Sequence, residues 1–307
     1  MKIKKKFIFA IIIGLCSFMT SCSSSGSNQY HDPDAPPRDT VQTFLSPQAP
    51  GLVVYENALA SIDASNTSEG YVVIRYFGEA SKAKVQIKVP DGVTYTYTLF
   101  GDDYRTFPLS SGDGNYQVNV YENVKEDMYA LVCSQELSVT LADEFRPFLY
   151  PNVYSWYDPQ SSAVALGIDI SEKSTSNLDY LCQVYDYVIN NIIYDEALAA
   201  SAPVDYVPDA DRTLETQKGI CFDYAALMTT LLRSQGIPTR LEVGYSGTVY
   251  HAWISVYLEE SGWVDGIIQF DGRSWSLMDP TLAASNSSKA VGKYIGDGSN
   301  YKVKYSY

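Results

Sequence analysis

Histidine is nearly missing from this chain: its 307 residues include two, His31 and His251. That scarcity makes a histidine-built metal centre a poor prospect. It also leaves any mechanism that needs an imidazole base with little choice. The five cysteines form no Cys-x-x-Cys pair, which disfavours zinc-ribbon and dithiol redox chemistry. Cations are short as well, with 22 Lys and Arg against 36 Asp and Glu. The resulting net charge of −14 argues against nucleic acid as a partner, because phosphate neutralisation needs clustered cations. No glycine-rich phosphate loop of a known type is present. No apolar run reaches the roughly 20 residues that a bilayer-spanning helix needs. No cofactor and no metal are expected.

What is there fits a globular protein. Hydrophobic residues make up 46% and charged residues 19%, and the length suits about two domains. The 26 tyrosines are spread along the chain, as strand and surface residues are. Residues 1–21 read as an export signal: Lys2, Lys4, Lys5 and Lys6 precede an apolar run from Phe7 to Met19. The following Met19-Thr20-Ser21-Cys22 resembles the bacterial lipobox, although Met19 stands where leucine is usual. The resemblance implies lipidation at Cys22 and anchoring to the outer face of a bacterial membrane. Loss of the leader leaves 18 cations against 36 acids, a net charge of −18. Residues 22–50, rich in Ser, Asn, Asp and Pro, read as a disordered tether. His31 falls in that tether with no credible site, and no calcium loop surrounds Asp32 and Asp34.

From residue 51 to 150 the apolar pattern has period two. Strands are expected over 71–77, 83–89, 94–100, 116–121, 129–134 and 137–141, with a turn at Ser111-Gly112-Asp113-Gly114-Asn115. Short strands broken by turns indicate an antiparallel β-sandwich, serving as a spacer or a binding module. Residues 151–307 mix helix and strand. Asn177 to Tyr194 carries an amphipathic stripe behind a Ser176 cap. Cys133 is expected in a core and Cys182 beside that stripe; two free thiols are favoured over a disulfide between them. A loop is expected over 195–211 and strands over 239–245 and 250–257. A further strand pair is expected around Asp271-Gly272.

The chemistry concentrates in Lys218-Gly219-Ile220-Cys221-Phe222-Asp223-Tyr224-Ala225. Cys221 opens a helix that Gly236 and Pro238 close. A cysteine there meets unpaired backbone N–H groups and the positive end of the helix dipole, which favour a nucleophilic thiolate. With His31 in the tether, the base for such a nucleophile has to be His251, 30 residues on. Asp279, a further 28 residues on, ends a strand. Cysteine, histidine and aspartate in these positions can converge as nucleophile, base and orienter.

Four segments then resemble one family. They are Gly219-x-Cys221-x-Asp223-Tyr224-Ala225; Leu232-Arg233-x-x-Gly236-Ile237-Pro238-x-Arg240 with Gly244-Tyr245; His251-Ala252-Trp253; and Asp279-Pro280-Thr281. In this order they are similar to the transglutaminase-like superfamily, over roughly Asn177 to Thr281. The resemblance implies an α+β fold: a papain-like transglutaminase core in 151–307, preceded by the sandwich. It implies Cys221 as nucleophile, His251 as base and Asp279 as its orienter. One departure is the stretch from Gly262 to Phe270, which lengthens the connection between histidine and aspartate by a strand. Gln217 is a candidate oxyanion donor and Trp253 a candidate cleft wall, each set against a plainer role in loop or core. The expected activity is acyl transfer on peptide or protein amides. Hydrolysis is preferred to transamidation because water is always available. The rival reading is a surface module that binds without catalysis on the same fold.

Overall fold

Period-two runs become paired sheets in the first half of the chain. The computed structural model describes residues 31–259, 261–265 and 301–307, together with the backbone of 268–270 and 275–277. The leader, the lipidation candidate Cys22 and the triad candidate Asp279 lie outside the described residues. Before residue 140 the chain lays down β1 (Val54–Glu56), β2 (Ala60–Asp63), β3 (Tyr71–Tyr76), β4 (Lys82–Lys88), β5 (Thr94–Phe100), β6 (Arg105–Pro108), β7 (Gly114–Lys125) and β8 (Met128–Val139). They pair as two four-stranded antiparallel sheets, ordered β1-β2-β3-β6 and β5-β4-β7-β8. Alternation decides which side is buried. In β4, Ala83, Val85 and Ile87 point inward while Lys84 and Gln86 between them face out, and in β5 Tyr95, Tyr97 and Leu99 do the same. Ile62, Val72, Ile74 and Phe107 of the first sheet share a core with Val85, Ile87, Val118 and Val120 of the second.

The second half gives α1 (Ser162–Glu172), α2 (Asn177–Asn191), β9 (Ile193–Tyr194), α3 (Glu196–Ser201), α4 (Ala210–Thr216), β10 (Lys218–Gly219) and α5 (Cys221–Ser234). These lead into β11 (Thr239–Ser246), β12 (Val249–Leu258), β13 (Gly262–Val264), β14 (Ile268–Phe270), β15 (Trp275–Leu277) and β16 (Tyr301–Ser306). The main sheet runs β13-β12-β11-β16, with every pair antiparallel. Strands β14 and β15 make the expected separate hairpin. Helix α2 begins where Ser176 accepts the Asp179 N–H at 3.0 Å. Helix α1 and strands β1, β2, β6 and β16 had no counterpart in the sequence reading. The loop expected over 195–211 holds α3 and the start of α4. Cys133 and Cys182 are free, and burial pushes the Cys182 thiol up to about 12.

Residues 31–50, expected as a solvated tether, lie against the folded regions. The Arg38 guanidinium donates to Ser171 Oγ at 2.6 Å and Asn177 Oδ1 at 2.9 Å, and stands 4.9 Å from the Tyr180 ring centroid. Val41 and Gln235 exchange two hydrogen bonds of 3.0 and 3.1 Å. Gln48 N–H donates to Tyr71 Oη at 2.9 Å. His31 Nδ1 lies 3.0 Å from Asp179 Oδ2.

Helix α5 is held from its far end by Arg233, whose side chain is 1% exposed. Its guanidinium donates to the carbonyls of Thr239 (2.7 Å), Tyr150 (2.8 Å) and Tyr307 (2.6 Å), and to Ser155 Oγ (3.3 Å). Among the described residues no carboxylate pairs with it, and burial lowers its pKa to about 10. Backbone oxygens thus replace the water a buried cation loses. Arg233→Met removes every guanidinium donor at once, leaving the Tyr150 and Thr239 carbonyls without it and the Tyr307 oxygen with the Leu241 N–H alone. Urea unfolding is expected to show a loss of at least about 3 kcal/mol; a loss under about 1 kcal/mol would show that the carbonyls find other partners.

Candidate active site

The start of α5 is built by a short-range exchange. Ile220, just ahead of the helix, has extended backbone, and its N–H donates to Asp223 Oδ2 at 2.8 Å. The other carboxylate oxygen accepts the Tyr206 hydroxyl at 2.7 Å. Asp223 thus turns back on the helix entry and fixes it, as an acceptor at the third helical position does. Gly219 is required there, because a Cβ on it would lie 2.5 Å from Asp223 Cβ. Asp223 is 2% exposed, and burial raises its pKa against the opposing pull of Ile220, Tyr206 and Arg212. The sequence reading quoted Asp223 in a motif without giving it a role; its place three residues after Ile220 was the available signal.

Cys221 is the first residue of α5 and is half-buried. Its N–H belongs to the first turn, where no helical carbonyl lies behind to receive it. The neighbouring Phe222 ring packs on Tyr154 at 5.0 Å between centroids. Gln217 is exposed and ends α4 in the left-handed region, with φ 53°. Its carbonyl accepts the Ile193 N–H at 2.8 Å, which joins the loop ahead of Cys221 to the end of α2. Tyr224 reinforces that joint, its hydroxyl donating to Ile192 O at 2.6 Å.

His251 lies in β12 opposite Gly244 and is 8% exposed. Alternation sets His251, Trp253 and Ser255 on one face with Arg240 and Glu242 of β11. Leu241, Val243, Ala252, Ile254 and Val256 occupy the other face, in the apolar core that includes Leu227 and Leu231 of α5. The His251 ring has Trp253 at 6.3 Å and Tyr301 at 6.4 Å, and those two rings meet edge-on at 5.0 Å. Trp253 also lines a cleft of about 760 Å³ between this face and the sandwich, with Glu242, Arg240 and Tyr301 opposite Asp91 and Tyr95. It is therefore both packed and cleft-lining. Glu242 accepts from Ser255 Oγ at 2.8 Å, and burial raises its pKa. Arg240 stands 3.7 Å from the Trp263 ring centroid and 4.9 Å from that of Phe148.

Cys221 packs against the apolar core on the α5 side of β12, the face that carries Tyr250 and Ala252. The Tyr250 phenol is raised by burial, then by Tyr305 and Tyr245, and also by Cys221. The structure therefore sets Cys221 and Tyr250 on one side of β12 and, by alternation, His251 on the other, while the orienting Asp279 lies outside the described residues. Among the described residues, no group of three or more His, Cys, Asp or Glu is placed to hold a metal ion.

Residues 164–266 match the sequence profile of the transglutaminase-like superfamily. The second half of the chain contains a transglutaminase-like domain. The YebA protein of Bacillus subtilis (strain 168), described as uncharacterized, is 30% identical over 118 residues. That match takes in 32% of this chain and 16% of YebA, so the chain spans a small part of that relative. Three solved structures are similar more loosely. A candidate cysteine protease from Cytophaga hutchinsonii has TM-score 0.36 and 16% identity, over 76% of this chain and 70% of that one. Red sea bream transglutaminase has TM-score 0.31 and 12% identity, over 70% and 48%. A candidate protease from Parabacteroides distasonis ATCC 8503 has TM-score 0.29 and 12% identity, over 68% and 62%. The transglutaminase-like domain places Cys221, Trp253 and His251 inside the matched segment and Asp279 beyond it.

The raised Asp223 carboxyl sets a pH dependence. Its folded pKa lies above the ordinary 3.8, so the folded state binds that proton more readily than the unfolded chain. The linked stability is present below the ordinary value and is lost as pH rises through the raised one. Asp223→Asn removes this titration. The unfolding free energy of the parent minus that of the variant is expected to fall as pH rises above the ordinary carboxyl value of 3.8 and through the raised one; a flat or rising difference in urea titrations would contradict it.

Proposed function

We propose that the chain is a cysteine acyl-transfer enzyme acting on peptide or protein amides, with hydrolysis as the main outcome. The observation that carries this reading is the half-buried Cys221 at the head of α5, packed against the side of β12 that carries Tyr250, the residue before His251. The transglutaminase-like fold supports a cysteine hydrolase or acyltransferase kind. In the proposed cycle His251 takes the Cys221 thiol proton and the thiolate attacks the amide carbonyl, forming a C–S bond and a tetrahedral oxyanion. The first-turn N–H of Cys221 donates to that oxygen, and Gln217, on the loop ahead of it, is the proposed second donor. His251 gives its proton to the leaving amine as the C–N bond breaks. Water then attacks the thioester, His251 takes its proton, and the carboxylic acid leaves as the C–S bond breaks. An amine in place of water gives a new amide by the same steps. Asp279 is proposed to hold the imidazole in the working tautomer. Export and lipidation at Cys22 place this activity on the outer face of a bacterial membrane.

Cys221→Ala is expected to lower amine release from a peptide-amide library by at least about a thousandfold, at an unchanged melting temperature. Asp279→Ala is expected to lower kcat by roughly a hundredfold or more. Turnover retained by Cys221→Ala would remove the nucleophile. Loss of folding in Asp279→Ala would make that residue structural.

A further inference from the structure

Aromatic rings gather on the side of the sheet against which the proposed nucleophile packs, and one pair is open to solvent. Strands β11 and β12 run past the helix as a long hairpin, turning at Gly247 with φ 61°. Register sets Tyr245 directly opposite Tyr250, on the same face as Val243 and Ala252. Their rings meet edge-on at 5.4 Å, yet Tyr245 is 42% and Tyr250 54% exposed. Behind the thiol, Phe222 packs on Tyr154, and Tyr154 on Tyr307 at 4.8 Å. Tyr305, opposite Val243 in the register of β16, joins the same side. Cys221 is thus followed by a ring of the packed aromatic row and lies on the side of the sheet that carries the exposed ridge.

An exposed pair of large rings offers rigid apolar area at little ordering cost, the property that makes tyrosine frequent at recognition surfaces. Neighbouring phenols and burial keep Tyr250 un-ionised through the physiological range, so the ridge is uncharged although the molecule is acidic. Any acyl group carried on Cys221 has its first side chain next to the carbonyl carbon, on the side of the sheet where Tyr250 stands beside Val243 and Ala252.

We infer that Tyr250, backed by Tyr245, forms the acyl-side subsite and receives an aromatic or large apolar side chain adjoining the attacked carbonyl. The inference rests on the acyl-transfer reading and adds to it a substrate class, peptides with such a residue on the acyl side. Tyr250 then selects among substrates, whereas Cys221 and His251 act on all of them.

Two peptidyl chloromethyl ketones test it on the full chain, one ending in Ala-Phe and one in Ala-Gly. In each, the Cys221 thiolate displaces chloride and forms a thioether, which mass spectrometry locates and times. Rates are divided by those of glutathione with the same probe. The parent is expected to favour the Phe probe roughly tenfold, the scale of one well-packed aromatic contact. Tyr250→Ala should bring the ratio to about two or less, and Tyr250→Phe should keep it, because the ring and not the hydroxyl makes the contact. A parent ratio near one, or a ratio unchanged in Tyr250→Ala, overturns the subsite. Iodoacetamide on the parent separates the two readings. If it modifies Cys221 while the ratio is flat, only the subsite falls. If neither it nor the probes modify Cys221, the nucleophile falls and the subsite with it.

Discussion

One buried guanidinium ties the segment leaving the sandwich to β11 and to Tyr307. Arg233 sits in the last turn of α5 and donates to carbonyls on the segment leaving the sandwich, on β11 and at Tyr307 beyond β16. The Tyr150 and Thr239 carbonyls gain in it a donor that replaces water lost to burial, and the Tyr307 oxygen, which also accepts the Leu241 N–H at 3.0 Å, gains a second. Because α5 also begins with Cys221, the same helix that is anchored at one end presents the nucleophile at the other. The position of Cys221 relative to β12 is therefore set by contacts about three helical turns away.

The aromatic side chains extend that control to the sandwich. Tyr97 of β5 packs on Phe107, Tyr154 and Tyr307, and Tyr154 in turn carries Phe222. A continuous row of rings thus runs from the sandwich core to the residue after Cys221. Residues 31–50 add a second set of ties, reaching α1, α2 and the end of α5. The sandwich is accordingly a packed support for the helix that carries the thiol.

The elements around the site were legible because their signals are local. Three-four spacing marked α2 and α5, alternation marked β11 and β12, and Gly236 with Pro238 marked the helix end. What was missed depends on distant partners. Strand β16 is a strand by virtue of β11, some sixty residues earlier in the chain. The segment 31–50 is polar enough to read as solvated, yet Arg38 and Val41 find donors and acceptors more than 130 residues away. Helix α1 hid behind Gly167, an unusual residue inside a helix. A Cβ there would approach Ser234 Oγ at 3.0 Å, so close packing of α1 on α5 explains the glycine. Asp223 was visible as a letter, but its pairing with both Ile220 and Tyr206 appears only when the loop closes on the helix.

The central claim is that Cys221 and His251 work as a pair at the head of α5. Its most direct test is the iodoacetamide alkylation rate of Cys221 against pH, in the parent and in His251→Ala. The account predicts a rate that persists well below about pH 8.5, where a free cysteine loses its thiolate, and that falls away in the variant. A slow rate with the same pH profile in both proteins would contradict it and leave Cys221 as a packed thiol on a binding module.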